Sequence, residues 1–311
     1  MRPPWLPLWA SGERGRLSAA GAGRRLAAGR AGGEDGRAAQ ERFEAAARRL
    51  AAFRRGPPLA NPAKAAAPAR GPPAPSKAPA PAPLRVGLRR GAAASVTAVL
   101  GRTRPPEQAW ALERWRQRQV RELGPEGFAA LTEQTFQQGK LFHAALEMLL
   151  LAEESPVKQQ EEPSGVSGYL ASVQHVLREV SGVRALESAV QHETLHYQGL
   201  VDCVAEYRGR LCVIDWKTSG KSKPLLRNTF DNPLQVVAYV GALNHDANYD
   251  FQVDCGLLVV AYKDGSPAHP HYMDPELCSH YWNKWLLRLK EFREKEGLRD
   301  DSRSEMDLGL V

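Results

Sequence analysis

Cysteine is scarce in this chain of 311 residues: the four present, at 203, 212, 255 and 278, form no Cys-x-x-Cys pair. That excludes a zinc ribbon and argues against the dense disulfide framework of small secreted domains. A reducing or redox-neutral compartment fits such usage. No run of eighteen apolar residues occurs, which excludes a membrane-spanning helix. The first third also has few β-branched residues and few acids. Residues 1–94 hold Val86 but no isoleucine, and 5 Asp and Glu against 18 Lys and Arg. From residue 95 onward the balance reverses, to 30 acids against 24 bases, so the formal charge of +7 is the sum of +13 in the first third and −6 in the rest.

What the first third does contain is proline, 13 of the 23 in the chain, together with alanine and arginine. The stretch from Gly56-Pro57-Pro58 to Pro81-Ala82-Pro83 buries too little apolar surface to offset its ordering entropy and reads as a disordered Ala/Pro linker. Residues 1–30 carry six arginines, no lysine and one acid, Glu13, the signature of a mitochondrial transit peptide. A low-complexity extension without an address is the competing reading, and a basic nucleic-acid-binding tail is a third. The chain therefore divides into a transit peptide with linker (1–94), a folded domain (95–296) and a disordered C-terminal tail (297–311).

In the folded part, hydrophobic periodicity places helices at Ala109–Leu123, Phe136–Leu151, Tyr169–Val180 and Leu277–Glu294. Strand-like runs occupy Leu186–Leu195, Gly199–Tyr207, Leu211–Thr218 and Val253–Tyr262. Asn232-Pro233 marks a further helix start, with Asn as N-cap, leading Leu234–Leu243. Helices around a central mixed sheet make an α/β or α+β domain, with an N-terminal helical region.

The chemistry concentrates in one hairpin. A two-residue loop at Arg208-Gly209 sets a register that puts Asp202 directly opposite Asp215. Lys217 shares the face of Asp215, and Trp216 takes the other. Opposed carboxylates repel, and a divalent cation between them removes the repulsion. Oxygen ligands without a Cys/His cluster indicate Mg²⁺, with Mn²⁺ able to substitute, rather than zinc.

An acid followed on the next strand by Asp215-Trp216-Lys217 resembles the PD-(D/E)XK nucleases. Gly139-Lys140-Leu141-Phe142-His143 resembles the Gly-x-x-x-His element of their RecB-type members, and Gln235-Val236-Val237-Ala238-Tyr239 their Gln-x-x-x-Tyr element. Val201 stands where the motif has Pro. The resemblance implies a restriction-endonuclease-like core with catalytic Asp202, Asp215 and Lys217, and metal ligands Asp202, Asp215 and His143. It also implies catalytic support from His143, Gln235 and Tyr239; Glu187, set in an apolar strand, is a further candidate for support of the site. Stretches such as Ser181 to Glu187 and Phe230 to Gln235 are similar to an exonuclease branch that acts on mitochondrial DNA. That implies Mg²⁺-dependent degradation of single-stranded DNA and flaps from free ends, by a monomer in the mitochondrial matrix that works with the DNA replication machinery. A structure-specific endonuclease and an inactive DNA-binding scaffold are the other readings. The cysteine spacing provides no iron–sulfur cluster.

Several residues carry a plainer alternative. His143 has Glu147 one helical turn on, so an ion pair competes with a site role. Gln235 can cap its helix, Tyr239 can sit in the core, and Glu187 can be a satisfied buried carboxylate. Trp282 and Trp285 read as core. Arg114, Arg118 and Arg121 share one helical face, and with Lys140, Lys221 and Lys223 they are candidate DNA contacts. A solvated face paired with Glu113 and Glu122 is the alternative.

Overall fold

The computed structural model describes residues 57–65, 82–88, 93–152 and 165–308. The transit-peptide reading of residues 1–30 falls outside them. In chain order the elements are α1 (Pro62–Ala65), β1 (Ala94–Ser95), α2 (Val96–Arg102), α3 (Pro106–Ala152) and α4 (Ser167–Leu177). Strands β2 (Val180–His192), β3 (Tyr197–Tyr207) and β4 (Arg210–Ser219) follow, then α5 (Asn232–His245), β5 (Cys255–Tyr262), β6 (His269–Met273) and α6 (Pro275–Leu308).

β2, β3 and β4 form an antiparallel meander, and α5 carries the chain across to β5, which lies parallel to β4. Such a crossover needs a helix, and both faces of the strand it reaches are covered. All eight residues of β5 are accordingly buried. On one side of the sheet, Phe142, Leu146 and Leu150 of α3 and Tyr169, Leu170 and Val173 of α4 pack against Trp216, Leu257 and Val259. α5 covers β2 to β5 from the other side. The expected mixed sheet flanked by helices is the fold observed.

Local chemistry sets the boundaries. α3 breaks at Gly124 (φ 73°, ψ 166°), and Pro125 starts its second arm at once. Glycine ends a helix in the left-handed region and proline suits a first turn, so the second arm begins well before the expected Phe136. Asn232 is not the N-cap of α5 but its first residue, with Asp231 ahead of it. Arg288 of α6 fixes that entry, donating to both Asp231 carboxylate oxygens (3.2 and 3.0 Å), to the Leu100 carbonyl (2.8 Å) and to the Thr103 hydroxyl (2.7 Å). Trp282 and Trp285 are core residues, as read.

Other features differ from the sequence reading: the helix expected over Tyr169–Val180 ends at Leu177, and the strand expected from Leu186 already starts at Val180. The edge strand β6 was not anticipated, since His269-Pro270-His271 lacks the apolar alternation of a strand. α6 runs on to Leu308 through the segment read as a disordered tail. The ordered part also starts before residue 95. Lys64 donates to the carbonyls of Leu243 (3.1 Å) and Asp246 (2.7 Å) at the C-terminal end of α5, where a helix favours a cation. Asn244 donates to the Leu59 carbonyl at 2.9 Å. Residues 57–65 and 82–88 satisfy backbone groups at a helix end and a sheet edge, a role that composition does not register.

Candidate active site

The hairpin between β3 and β4 turns on Arg208 (φ 51°) and Gly209 (φ 75°). Two successive positive φ values match the twist of a two-residue hairpin. The ladder runs from Tyr207↔Arg210 to Cys203↔Ile214, in the expected register. One step further Asp202 and Asp215 come level, and there the pairing of β4 with β3 ends, while its pairing with β5, which starts at Cys212, continues to Ser219. Asp202 bridges the opening, its Oδ2 accepting the backbone N–H of Trp216 at 2.9 Å.

Asp215 is 1% exposed, and its Oδ2 lies 2.5 Å from Lys217 Nζ. Apart from that lysine, neither carboxylate oxygen has a hydrogen-bond donor among the described residues. Burial pushes the Asp215 carboxyl up to about 6, against the pull of Lys217 and with a further push from Asp202. Burial works against the Lys217 ammonium too, but Asp215 and Asp202 outweigh it and raise its pKa. The lysine is therefore held as a cation against a carboxylate short of partners.

His143 reaches the cluster from the second arm of α3. Its Nδ1 is 3.7 Å from both Glu187 Oε1 and Asp202 Oδ1. Burial opposes its charged form, yet Asp202 and Glu187 prevail and lift the imidazole pKa. The helical ion pair with Glu147 does not form, because Arg85 engages Glu147. Glu187 is itself left-handed (φ 40°) within β2, a rare conformation for a non-glycine residue in a strand.

The donor atoms of His143, Glu187 and Asp202 lie within 4.8 Å of one another. With the undersatisfied Asp215 beside them, this set fits a hard divalent cation: several anionic oxygens, one imidazole and no thiolate. Glu187 lies in the group of side chains that could hold a metal ion, whereas the sequence reading gives it only a supporting place. The geometry groups Asp215 with Lys217, and Asp202 with His143 and Glu187.

α5 closes one side. The Gln235 amide donates to the Tyr239 hydroxyl at 2.7 Å, so Gln235 is turned to Tyr239 rather than capping its helix. The Tyr239 ring lies flush on β3 because residue 199 is glycine. A Cβ there would stand 2.3 Å from the ring. Burial raises the phenol pKa, and the charge of Asp215 adds to the rise.

The candidate DNA contacts separate into two kinds. Arg114, Arg118, Arg121, Lys140 and Lys221 are exposed, with Arg114 over the Trp110 ring and Lys140 over the Phe136 ring. Lys223 is turned inward instead: it is buried and donates to the Asn228 carbonyl at 2.7 Å. Its own loop needs that donor, so it is withdrawn from the candidate contacts. Sequence reasoning did not single out Arg85, which pairs with Glu147, or Ser188, which hydrogen-bonds to Leu84 and Val86. The one available signal was Val86, the lone β-branched residue of the first 94.

Comparison with known proteins agrees with this geometry. Residues 111–306 match the PD-(D/E)XK nuclease superfamily. The chain is 64% identical over 213 residues to mouse Mitochondrial genome maintenance exonuclease 1, and 63% identical over 213 residues to the human protein of that name. Each match covers 68% of this chain and 62% of the relative, so the chain spans less than two thirds of the length of these relatives. The Xenopus tropicalis protein is 58% identical over 239 residues, covering 77% of this chain and 68% of the relative. The matched region contains the acid of β3, the Asp-x-Lys of β4, the histidine of α3 and the Gln–Tyr pair of α5, and by that match the chain belongs to the PD-(D/E)XK nuclease superfamily.

Proposed function

We propose that the protein is an exonuclease that hydrolyses phosphodiester bonds of single-stranded DNA and flaps from a free end, in the mitochondrial matrix, with Mg²⁺ as its metal. The observation that carries this reading is the buried Asp215–Lys217 pair set against the Asp202, Glu187 and His143 cluster. The names of the relatives supply the exonuclease activity and the mitochondrial context.

Asp202, Asp215, Glu187 and His143 would hold the cation. When bound, Mg²⁺ supplies Lewis-acid stabilisation of the phosphate charge and lowers the pKa of the attacking water. Lys217, kept protonated by the two aspartates, places a fixed positive charge where negative charge develops on the phosphate oxygens. Tyr239 and Gln235 form a rigid wall that orients the strand, and His143 holds its ring against Asp202 and Glu187. The exposed Arg114, Arg118 and Arg121 of α3, with Lys140 and Lys221, serve as local phosphate contacts on a domain whose overall charge is negative.

Linear and circular single-stranded DNA of one sequence test the reading. The wild type in Mg²⁺ should degrade the linear form, spare the circle and stop on addition of EDTA. Cutting of the circle would make the protein an endonuclease. Binding of DNA without cleavage would make it a scaffold.

A further inference from the structure

The edge of β2 that carries Glu187 is covered by a piece of chain from the N-terminal third. Leu84 donates its N–H to the Arg184 carbonyl (2.8 Å), and its own carbonyl accepts the Leu186 N–H (3.1 Å). The Val86 carbonyl accepts the Ala189 N–H at 2.8 Å. Residues 84 and 86 are two apart, whereas 186 and 189 are three apart, so three steps of β2 face two of the covering segment. Against β3 the register is unbroken, Leu186↔Cys203 and Ser188↔Val201. The extra residue is therefore accommodated on the outer edge alone, at the left-handed Glu187. Such a bulge re-aims the side chain it carries.

The mismatch leaves the Val86 N–H without a backbone acceptor, and the buried Ser188 supplies one. Its Oγ accepts from Val86 N at 3.3 Å and donates to the Leu84 carbonyl at 2.7 Å. Between those two residues Arg85 points the other way and forms an ion pair with Glu147. Glu147 lies one helical turn beyond His143 on α3. The same three residues therefore grip the strand that presents Glu187 and the helix that presents His143.

We infer that Leu84–Val86 is a positioning strap of the active site: through Ser188 it holds the bulge that aims Glu187, and through Arg85–Glu147 it sets the helix that aims His143. The inference rests on the reading of His143, Glu187 and Asp202 as cation ligands. Arg85 is half exposed, and an ion pair of that kind contributes little to global stability. Its effect falls on the spacing of the two ligands.

Mn²⁺ binding to the full chain, followed by the electron paramagnetic resonance of the free ion, tests this without reference to turnover. Arg85→Ala and Ser188→Ala should each weaken Mn²⁺ binding about tenfold, the range seen when groups that orient metal ligands are removed. The exchanged pair Arg85→Glu with Glu147→Arg should recover most of the affinity. Lys64→Ala, which cuts another contact of the N-terminal third at the far end of α5, should leave it unchanged. Affinities within twofold of wild type for both single variants would overturn the strap. Should Ser188→Ala fail to fold, the exposed Arg85 still decides, and failure of the exchanged pair to recover would break the link to Glu147. Asp202→Asn is the separate check on the ligand reading. If the wild type binds Mn²⁺ and Asp202→Asn does not, the site stands whatever the strap variants do. If Asp202→Asn binds as the wild type does, the ligand reading falls and the strap with it.

Discussion

At the β3–β4 hairpin a regular antiparallel ladder delivers Asp202 and Asp215 to adjacent positions, and the backbone needs nothing unusual beyond its turn. At the edge of β2, Glu187 reaches the same cluster only through a left-handed backbone, an added segment of chain and a serine standing in for a carbonyl. The first region owes its geometry to residues within a few positions of one another. The second draws on residues about a hundred positions apart in sequence, Leu84 and Ser188, and on Arg85 and Glu147. A site assembled in this way has one wall fixed by local pairing and another that depends on tertiary contacts, so disturbing the two walls should have different consequences.

The largest effect should come from the hairpin. Lys217→Met keeps the bulk and removes the charge, and it should lower single-turnover cleavage of linear single-stranded DNA about 1,000-fold, as loss of a preorganised group at developing charge does. Residual activity within tenfold of wild type would place the catalytic charge elsewhere. Asp215→Ala should cost stability as well as activity. A solvent-facing ligand would add little to folding, but this carboxylate is 1% exposed and ion-paired, so its removal leaves Lys217 uncompensated. Denaturant unfolding should report a loss of about 3 kcal/mol, much of it recovered when Lys217→Met is added.

Gly199→Ala probes the boundary between the two walls. The new methyl would stand 2.3 Å from the Tyr239 ring, and overpacking of this kind costs about 2 kcal/mol. A variant with unchanged melting temperature would show that the ring moves freely.

Acid separates fold from site. His192 is buried against His245, and burial, with His245, Arg293 and His196 adding to it, lowers its pKa to about 3. The folded state then binds fewer protons than the unfolded one, so this contribution is complete above about pH 6.5 and is lost as pH falls toward 3. Each unit in that window should remove up to about 1.4 kcal/mol. The pH dependence of urea midpoints should flatten in His192→Phe, and a slope equal to the wild type's would assign the loss to other groups.

The smallest effect should be the most telling about β2. Glycine is normally worse than alanine in a strand, but at φ 40° the order should invert. Glu187→Gly should be more stable than Glu187→Ala by about 1 kcal/mol. The usual order would mean the left-handed backbone is not kept.

The legibility of the molecule follows the same division. Arg208-Gly209 announced the turn, and the turn fixed the register that levels Asp202 with Asp215. Trp216 went to the core because side chains alternate. Helices of strong apolar period were also readable, Tyr169 to Val180 among them, although that helix stops at Leu177 and Val180 opens β2. Glu187 had no local signal for its conformation, since nothing in Leu186-Glu187-Ser188 asks for a positive φ. Leu84-Arg85-Val86 was hidden by its composition, because it contributes backbone hydrogen bonds and one ion pair rather than apolar surface. β6 was hidden by Pro270, which an edge strand tolerates. Lys223 looked like an exposed loop cation and proved to be an internal donor to Asn228.

The central claim is that the two walls meet around one cation. Anomalous diffraction from Mn²⁺-soaked crystals of the wild-type chain measures this directly. The account predicts a peak bounded by Asp202, Asp215, Glu187 and His143. Crystals of catalytically active protein with no peak there, or with the ion held by other side chains, would contradict it.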